Sequence, residues 1–177
     1  MLSTERLMLI PHSCELLQAE IHDHAELSRL LNASVPSNWP PESTIDALPF
    51  FLSSVESAVG QIGWFGWYAV SKQTAATHSP ELVGGGGFMG PPSGGSAQVG
   101  YSVIDQHQGR GYATELVKSL IQWALSHSEC DVVVAETEWS NPASVRVLEK
   151  SGFFRIGEPS VGGGSRFQFS ADGLGRL

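Results

Sequence analysis

The stretch that most constrains the fold is QVGYSVIDQHQGRGYATELVKSLIQWA, residues 98–124, in which a strand pattern leads through two glycines into a helix pattern. Residues 98–104 are rich in side chains that favour β-strands. From Ala113 onward, apolar residues recur at the spacing of a helix that packs one face on a core: Ala113, Leu116, Val117, Leu120, Ile121 and Ala124. Gly109 and Gly111 lie between the two patterns and predict a tight strand-to-helix connection.

This connection has the chemistry of an anion site. A helix N-terminus carries unpaired N–H groups and about half a positive charge from the helix dipole. Glycines in front of it let the backbone approach a phosphate without a Cβ in the way. A P-loop would need GxxxxGK, and a dinucleotide fingerprint would need glycine where Thr114 stands. From these residues alone, a phosphate-binding loop and a plain tight turn both stay open.

Patterns in the rest of the chain predict a mixed α/β layer fold. Strand patterns cover residues 4–10, 64–70, 81–89, 98–104, 131–138, 153–157 and 166–169, and helix patterns cover 13–23, 24–32, 42–59 and 141–152. Pro49 predicts a kink or a break in the helix at 42–59. The run Gly84 to Gly87 indicates a bulged strand or one that another backbone approaches closely, because no helix follows to make it a second phosphate loop.

Length and net charge limit the classes of protein to which this chain can belong. The 177 residues predict a single domain, 1–177, with a sizeable core. The net charge of −8 argues against broad binding to a nucleic-acid backbone. Without a leader-like N-terminus or a long uncharged apolar stretch, we expect a cytoplasmic protein with no membrane contact. Cys14 and Cys130 lie far apart without metal-site spacing, so we expect neither a disulfide framework nor a metal.

Three segments together resemble the GNAT superfamily of acetyl-CoA-dependent N-acetyltransferases. They are the motif Gln106-x-x-Gly109-x-Gly111 after a strand, "NPASVRVLEKSGFF" about thirty residues later, and the N-terminal "TERLMLIP", which is similar to the branch of ribosomal-protein N-terminal acetyltransferases. The resemblance covers nearly the whole chain. It implies a central, mostly antiparallel sheet of about seven strands, splayed between the fourth and fifth, with about four helices packed around it.

The resemblance also implies a site for acetyl-CoA. Family members cradle the coenzyme A pyrophosphate on loop amides, here those of Gln108, Gly109, Arg110, Gly111, Tyr112 and Ala113. The pantetheine arm lies like an added strand in the gap of the splayed sheet, and its implied backbone partners are Ser102, Val103 and Ile104. Asn141 matches an asparagine that holds the pantetheine in many members, although Asn-Pro is also well suited to cap a helix.

Acetyl transfer to an amine needs a route for the amine proton, donors for the oxyanion and an acid for the leaving thiolate. Many family members supply the acid from a tyrosine seven residues after the asparagine, and here that position is Leu148. Ser144 matches a serine that the ribosomal-protein branch uses near the sulfur, and we expect it to be the donor. Glu136 is the candidate general base. His107 and a bound water are the alternative general bases. If Glu136 is only a solvated residue at the end of its strand, it has no catalytic role.

The resemblance therefore implies transfer of acetyl to a primary amine, either a protein N-terminus or a small molecule, by a monomer or a homodimer. Because Leu148 stands in place of the tyrosine, a function of another class stays open, that of an acyl-CoA sensor that binds the cofactor without turnover. Aromatic residues in and before the second strand pattern are either core residues or walls of an acceptor pocket: Trp39, Trp64, Trp67 and Tyr68.

Overall fold

An eight-stranded sheet with helices on both faces is formed by residues 1–58, 60–73, 79–157 and 164–170, the parts of the chain that the computed structural model describes. The strands are β1 (Leu2–Ser3), β2 (Leu7–Pro11), β3 (Gly66–Ser71), β4 (Glu81–Phe88), β5 (Ser96–Val103), β6 (Val132–Glu138), β7 (Phe154–Ile156) and β8 (Gly164–Ser170). The α-helices are α1 (Cys14–His22), α2 (His24–Leu31), α3 (Glu42–Ile45), α4 (Leu48–Ser57), α5 (Tyr112–Leu125) and α6 (Pro142–Lys150).

The sheet opens between β5 and β6. Its strand order is β1-β2-β3-β4-β5-β6-β8-β7, and every neighbouring pair except β5 and β6 is antiparallel. β5 and β6 pair in parallel only where residues 96–98 meet residues 132–134, although both strands continue beyond that point. The mixed α/β fold with a mostly antiparallel, splayed sheet is thus confirmed. β1 adds an eighth strand to the seven predicted, because two residues are too short to show an alternation.

Two clusters of buried side chains cover the two faces of the sheet. β3 supplies both, since Trp67 and Ala69 belong to one cluster while Tyr68 and Val70 belong to the other. α5 packs its predicted apolar stripe on the first face, and α1 and α2 pack on the second. Burying one leucine side chain contributes about 1.5–3 kcal/mol, so these apolar contacts hold the helices against the sheet.

The helix predictions hold, including a break near Pro49. The pair at 13–32 is confirmed as α1 and α2, whose N-termini are capped by the side chains of Ser13 and Asp23. The pattern at 42–59 forms two helices, because α3 ends at Ile45 and α4 begins at Leu48 with Pro49 in its first turn. Proline lacks an N–H and therefore suits the first turn of a new helix, not the interior of a continuing one. Position 59 lies outside the described residues.

Four consecutive glycines of β4 lie where backbones approach too closely for side chains. A Cβ added at Gly84 would lie 2.4 Å from the Ser102 carbonyl oxygen, and one at Gly87 would lie 1.7 Å from that of Phe65. The pairing of β3 with β4 also shifts register between Ala69 and Val70. Both observations confirm the interpretation of this run as a bulged, closely approached strand.

Within the four described ranges, no helix is long and apolar enough to cross a membrane. Those same ranges contain no group of three or more His, Cys, Asp or Glu side chains that could hold a metal ion.

Candidate active site

The loop between β5 and α5 exposes a row of unpaired amides. Gly109 and Gly111 have φ angles of 73° and 84°, the left-handed region that favours glycine. The first backbone bond of α5 runs from the Glu115 N–H to the Gly111 carbonyl. Among the described residues, no acceptor takes up the N–H groups of residues 109–114. These amides and the helix dipole form the arrangement that a phosphate needs.

Arg6 fixes this loop from the other end of the sequence. Its Nε donates to Glu115 Oε2 at 2.7 Å, and its Nη1 donates to the Arg110 carbonyl at 2.8 Å. Its guanidinium carbon lies 4.9 Å from the centre of the Tyr112 ring. The sequence analysis missed Arg6, because a contact across 109 positions leaves no local pattern.

A groove of about 540 Å³, called the cofactor groove below, is lined by this loop, β5 and α6. Most predicted cofactor residues line it: Ser102, Val103, Gln108, Gly109, Gly111, Tyr112, Ala113 and Asn141. Ile104 and Arg110 do not. Arg146 and Lys150, one helical turn apart on α6, line it too and were not selected from the sequence. They place positive charge locally in a chain whose net charge is −8, as an anionic ligand requires.

The edge of β5 presents backbone groups to the gap in the sheet. The Ile104 N–H donates to the Val83 carbonyl at 3.1 Å, and the register pairs Ser102 with Gly85. Ser102 and Ile104 therefore bond to β4. Because successive strand residues direct their backbone groups to opposite edges, those of Tyr101 and Val103 point toward β6. Of the three predicted backbone partners, only Val103 faces the gap, and its carbonyl already accepts from Gln108 Nε2 at 2.9 Å.

A tyrosine and a serine meet at the inner end of the groove. Tyr101 Oη lies 2.9 Å from Ser144 Oγ and donates to the Ser144 carbonyl at 3.1 Å. Burial raises the pKa of Tyr101, against the opposing effect of the Ser144 hydrogen bond, so its hydroxyl keeps its proton at neutral pH. The Ser144 N–H donates to Asn141 Oδ1 at 3.0 Å. Asn141 therefore caps α6, and its role toward the cofactor stays a prediction for its Nδ2 group.

Three further positions from the sequence analysis lie elsewhere. Leu148 is fully buried in the core, so it takes no part in the site. Glu136 is exposed on β6, 3.9 Å from Arg166 Nε, and lines neither the groove nor the cavity described next. As a general base it stays a prediction that its position does not support. His107 lines the groove with its Nε2 placed 3.1 Å from Glu81 Oε2.

A second cavity, of about 420 Å³, has a floor of glycines and is called the glycine-floored cavity below. In the sheet register Gly66 pairs with Gly87, and Gly87 pairs with Gly100. Three residues without side chains therefore lie side by side on one face of the sheet. A Cβ added at Gly100 would have no other atom within 4 Å. The cavity shares Tyr101, Ser102 and Asn141 with the cofactor groove, so the two spaces meet there.

The walls of this cavity come from α1, α4 and the segments before β3. They include His12, Glu20, Trp39, Leu48 and Phe51. Of the aromatic residues left open by the sequence, Trp39 is a wall residue, while Trp64 and Trp67 pack in the core. Trp64 lies 5.3 Å from Phe88, and the Trp67 indole N–H donates to the Gly63 carbonyl at 2.7 Å. Tyr68 is fully buried and hydrogen-bonds to Glu20.

Comparison with known proteins identifies the family. The family model of the acetyltransferase (GNAT) domain matches residues 6–154. This chain belongs to the GNAT acetyltransferase family. A relative, the uncharacterized N-acetyltransferase YjdG of Bacillus subtilis strain 168, is 31% identical over 154 residues, which are 86% of this chain and 89% of that protein.

Solved GNAT structures share the fold. The acetyltransferase (GNAT family) from Bacillus anthracis superposes with a TM-score of 0.61 at 16% identity, over 96% of this chain and 98% of that one. The aminoglycoside acetyltransferase AAC(6')-Ib in complex with coenzyme A superposes with a TM-score of 0.60 at 18% identity, over 97% and 98%. These structures confirm the fold, and the family model and the YjdG relative confirm the GNAT family without reaching the finer level of the ribosomal-protein branch.

As a GNAT member, the protein is an N-acetyltransferase whose co-substrate is acetyl-CoA. The residues present fit that molecule. The free amides of residues 109–114 suit its pyrophosphate, and the cations of Arg146 and Lys150 suit its negative charge. The unpaired edge of β5 suits an arm that binds like an added strand.

Proposed function

We propose that this enzyme moves the acetyl group to a primary amine held in the glycine-floored cavity, by direct attack of the amine on the thioester. The observation that carries the proposal is the junction of the two spaces at Tyr101, Ser102 and Asn141. A ligand in the cofactor groove and a ligand in the glycine-floored cavity would meet at that point. Direct transfer needs this proximity of the two reactants.

Each part of the cofactor groove has a proposed task. The amides of residues 109–113 hold the pyrophosphate, with Arg146 and Lys150 as counter-charges. The backbone groups of Tyr101 and Val103 receive the pantetheine arm, together with the Asn141 side-chain NH₂. Arg6 is a positioning residue, because it holds the Arg110 carbonyl and the first turn of α5 without lining the groove.

The transfer forms one N–C bond and breaks one C–S bond. The amine nitrogen bonds to the thioester carbon and loses a proton, and the thiolate that leaves takes up a proton. We assign the donated proton to the Tyr101 hydroxyl, which is protonated and belongs to a residue that lines both spaces. Ser144 Oγ, 2.9 Å away, orients that hydroxyl. The amine proton passes to water, which reaches the cavity floor where Gly100 is exposed.

Tyr101 also argues for turnover over the alternative of a non-catalytic sensor. That alternative rested on Leu148, which stands where many family members have a catalytic tyrosine. Here Tyr101 of β5 supplies a phenol hydroxyl, and that hydroxyl donates a hydrogen bond to the Ser144 carbonyl of α6. A primary amine as acceptor agrees with structures of AAC(6')-Ib, one of which holds ribostamycin and coenzyme A. A protein N-terminus is the acceptor that the ribosomal-protein branch would use.

The first experiment measures acetyl-CoA binding by calorimetry, with NAD and ATP as competing candidates. Gly109→Leu tests the loop, and Gly157→Leu is its matched control. Both glycines have nearly the same φ, 73° and 70°, and a Cβ at either position meets no other atom of the described residues within 4 Å. The two substitutions therefore carry equal backbone strain, but only Gly109 lines the groove.

We expect selective binding of acetyl-CoA by the wild type and Gly157→Leu, and binding weaker by about tenfold or more in Gly109→Leu. Equal affinities of the two variants would remove the loop from the cofactor site. A second assay follows thiol release with a panel of primary amines. Acetyl-CoA binding without any amine-dependent thiol release would favour the sensor.

A further inference from the structure

We propose that the acceptor is a small amine with a second positive charge, and that Glu20 of α1 binds that second charge. This inference rests on the proposed function, since it takes the glycine-floored cavity to be the acceptor site. It adds the chemical class of the acceptor and the residue that selects it.

Glu20 is a buried carboxylate that forms no ion pair with another described residue. It is 3% exposed and lines the glycine-floored cavity. Its Oε1 accepts from Trp39 Nε1 at 2.7 Å, and its Oε2 accepts from the Tyr68 hydroxyl at 2.5 Å. Both donors are neutral, and no Lys or Arg of the described ranges forms an ion pair with Glu20. An unpaired buried charge is costly, and a bound cation would offset that cost.

No other side chain gives this cavity a charge. Among the described residues that line it, the ionisable ones besides Glu20 are His12 and Tyr101. Burial lowers the pKa of His12 to about 3, so its imidazole is neutral at neutral pH. Trp39 and Phe51 add aromatic walls, and the faces of such rings attract cations. The field of the cavity therefore favours a positively charged ligand.

The position of Glu20 separates it from the reacting nitrogen. Its partner Tyr68 lies on β3, whereas the junction with the cofactor groove lies on β5, and the register aligns Tyr68, Gly85 and Ser102. Two strand spacings amount to about 9–10 Å. The strand that carries the hydroxyl partner of Glu20 is therefore separated from the strand at the junction by about the length of a short alkyl chain. We assign to Glu20 a second amino group of the same molecule, as a linear diamine would provide.

A purely structural role for Glu20 makes a different prediction. If the carboxylate only orients Trp39 and Tyr68, its neutralisation disturbs the whole cavity and slows every acceptor alike. If it binds a cation, neutralisation affects acceptors with a second charge and spares those without one. Glu20→Gln keeps the size of the side chain and a hydrogen-bonding group for each partner. Glu15→Gln removes an exposed carboxylate from the same helix and is the matched control.

The test compares linear diamines, from diaminobutane to diaminooctane, with the monoamine of each chain length. Thiol release from acetyl-CoA gives kcat/KM for the wild type, Glu20→Gln and Glu15→Gln. Calorimetry of the same amines without acetyl-CoA gives binding apart from turnover. We expect the wild type to prefer one diamine length over its monoamine. Glu20→Gln should lose about 10- to 100-fold toward that diamine, as for one hydrogen bond to a charged group, and less than about twofold toward the monoamine.

Three outcomes would overturn the inference. The first is an equal loss in Glu20→Gln for diamine and monoamine. The second is a loss of the same size in Glu15→Gln. The third is a preference for a peptide N-terminus over every diamine, unchanged by Glu20→Gln. Failure of the proposed function looks different, because no amine then releases thiol. In that case, diamine binding that depends on Glu20 in calorimetry would still support the cation site.

Discussion

His12 should make the folded state sensitive to mild acid. Its ring centre lies 4.4 Å from that of Tyr68 and 5.9 Å from that of Phe51, and its buried Nδ1 has no hydrogen-bond partner among the residues that the structure describes. Burial lowers the pKa of His12 from 6.5 to about 3, so the unfolded chain binds a proton that the folded chain excludes. The stability is therefore complete above the unfolded pKa and is lost as the pH falls toward the folded one. Between pH 7 and pH 5 the loss is about 2 kcal/mol.

Urea unfolding of the wild type and of His12→Phe at pH 7 and at pH 5 measures this loss. The difference in free energy of unfolding between the two proteins should move by about 2 kcal/mol in favour of the variant at pH 5. Titrating groups common to both proteins cancel, including Glu20, whose pKa is raised by burial and which acts in the opposite sense. His22→Phe, at an exposed site on α1, should show no such change. A change below about 0.5 kcal/mol for His12→Phe would mean that the folded chain accepts the proton, and the cavity would then carry a charge that repels amines.

Three substitutions test the catalytic arrangement. Tyr101→Phe should lower kcat by about 100-fold and leave KM for acetyl-CoA within about twofold, because it removes only a proton donor; a normal kcat would remove Tyr101 from the mechanism. Leu148→Tyr should fail to raise kcat and should cost about 1–3 kcal/mol of stability in urea unfolding, since the new hydroxyl enters a packed core; higher activity would contradict this placement. Gly100→Leu should raise KM for the amine at least about tenfold with unchanged acetyl-CoA affinity, because its side chain enters open space in the glycine-floored cavity. A loss of affinity for both the amine and acetyl-CoA would show that the two spaces are not separate.

Elements whose signal is local were predictable from the sequence. The stripe from Ala113 to Ala124 predicted α5, and Pro142 and Gly152 marked the ends of α6. The tight connection between β5 and α5 was predictable for the same reason, because it depends on two glycines and the helix directly after them. A break near Pro49 was predictable as well, but its exact place was not, since α3 already ends at Ile45 and α4 begins at Leu48, one residue before the proline.

Pairs of side chains that lie far apart in sequence were not predictable. Arg6 and Glu115 are separated by 109 positions, and Tyr101 and Ser144 by 43. Each residue alone fits an ordinary strand or helix. Ser144 was selected only through the family resemblance, and Tyr101 was not selected because its role depends on α6 lying across the gap beside β5.

The glycine-floored cavity shows most clearly why the register of the strands matters for such a site. Gly66, Gly87 and Gly100 stand in three separate strands, and no spacing in the sequence connects them. The pairing of β3, β4 and β5 sets them side by side and so removes three neighbouring side chains from one face of the sheet. A shift of one residue in either pairing would turn a side chain into the hollow, since the faces of a strand alternate. The pairing of β3 with β4 shifts register between Ala69 and Val70, which come after Tyr68 and well after Gly66 in β3. Gly66 therefore still pairs with Gly87, and Tyr68 still pairs with Gly85 while its hydroxyl donates to Glu20. The pairing of β3, β4 and β5 therefore sets both the floor of the cavity and the position of the partner of the carboxylate proposed to recognise the acceptor.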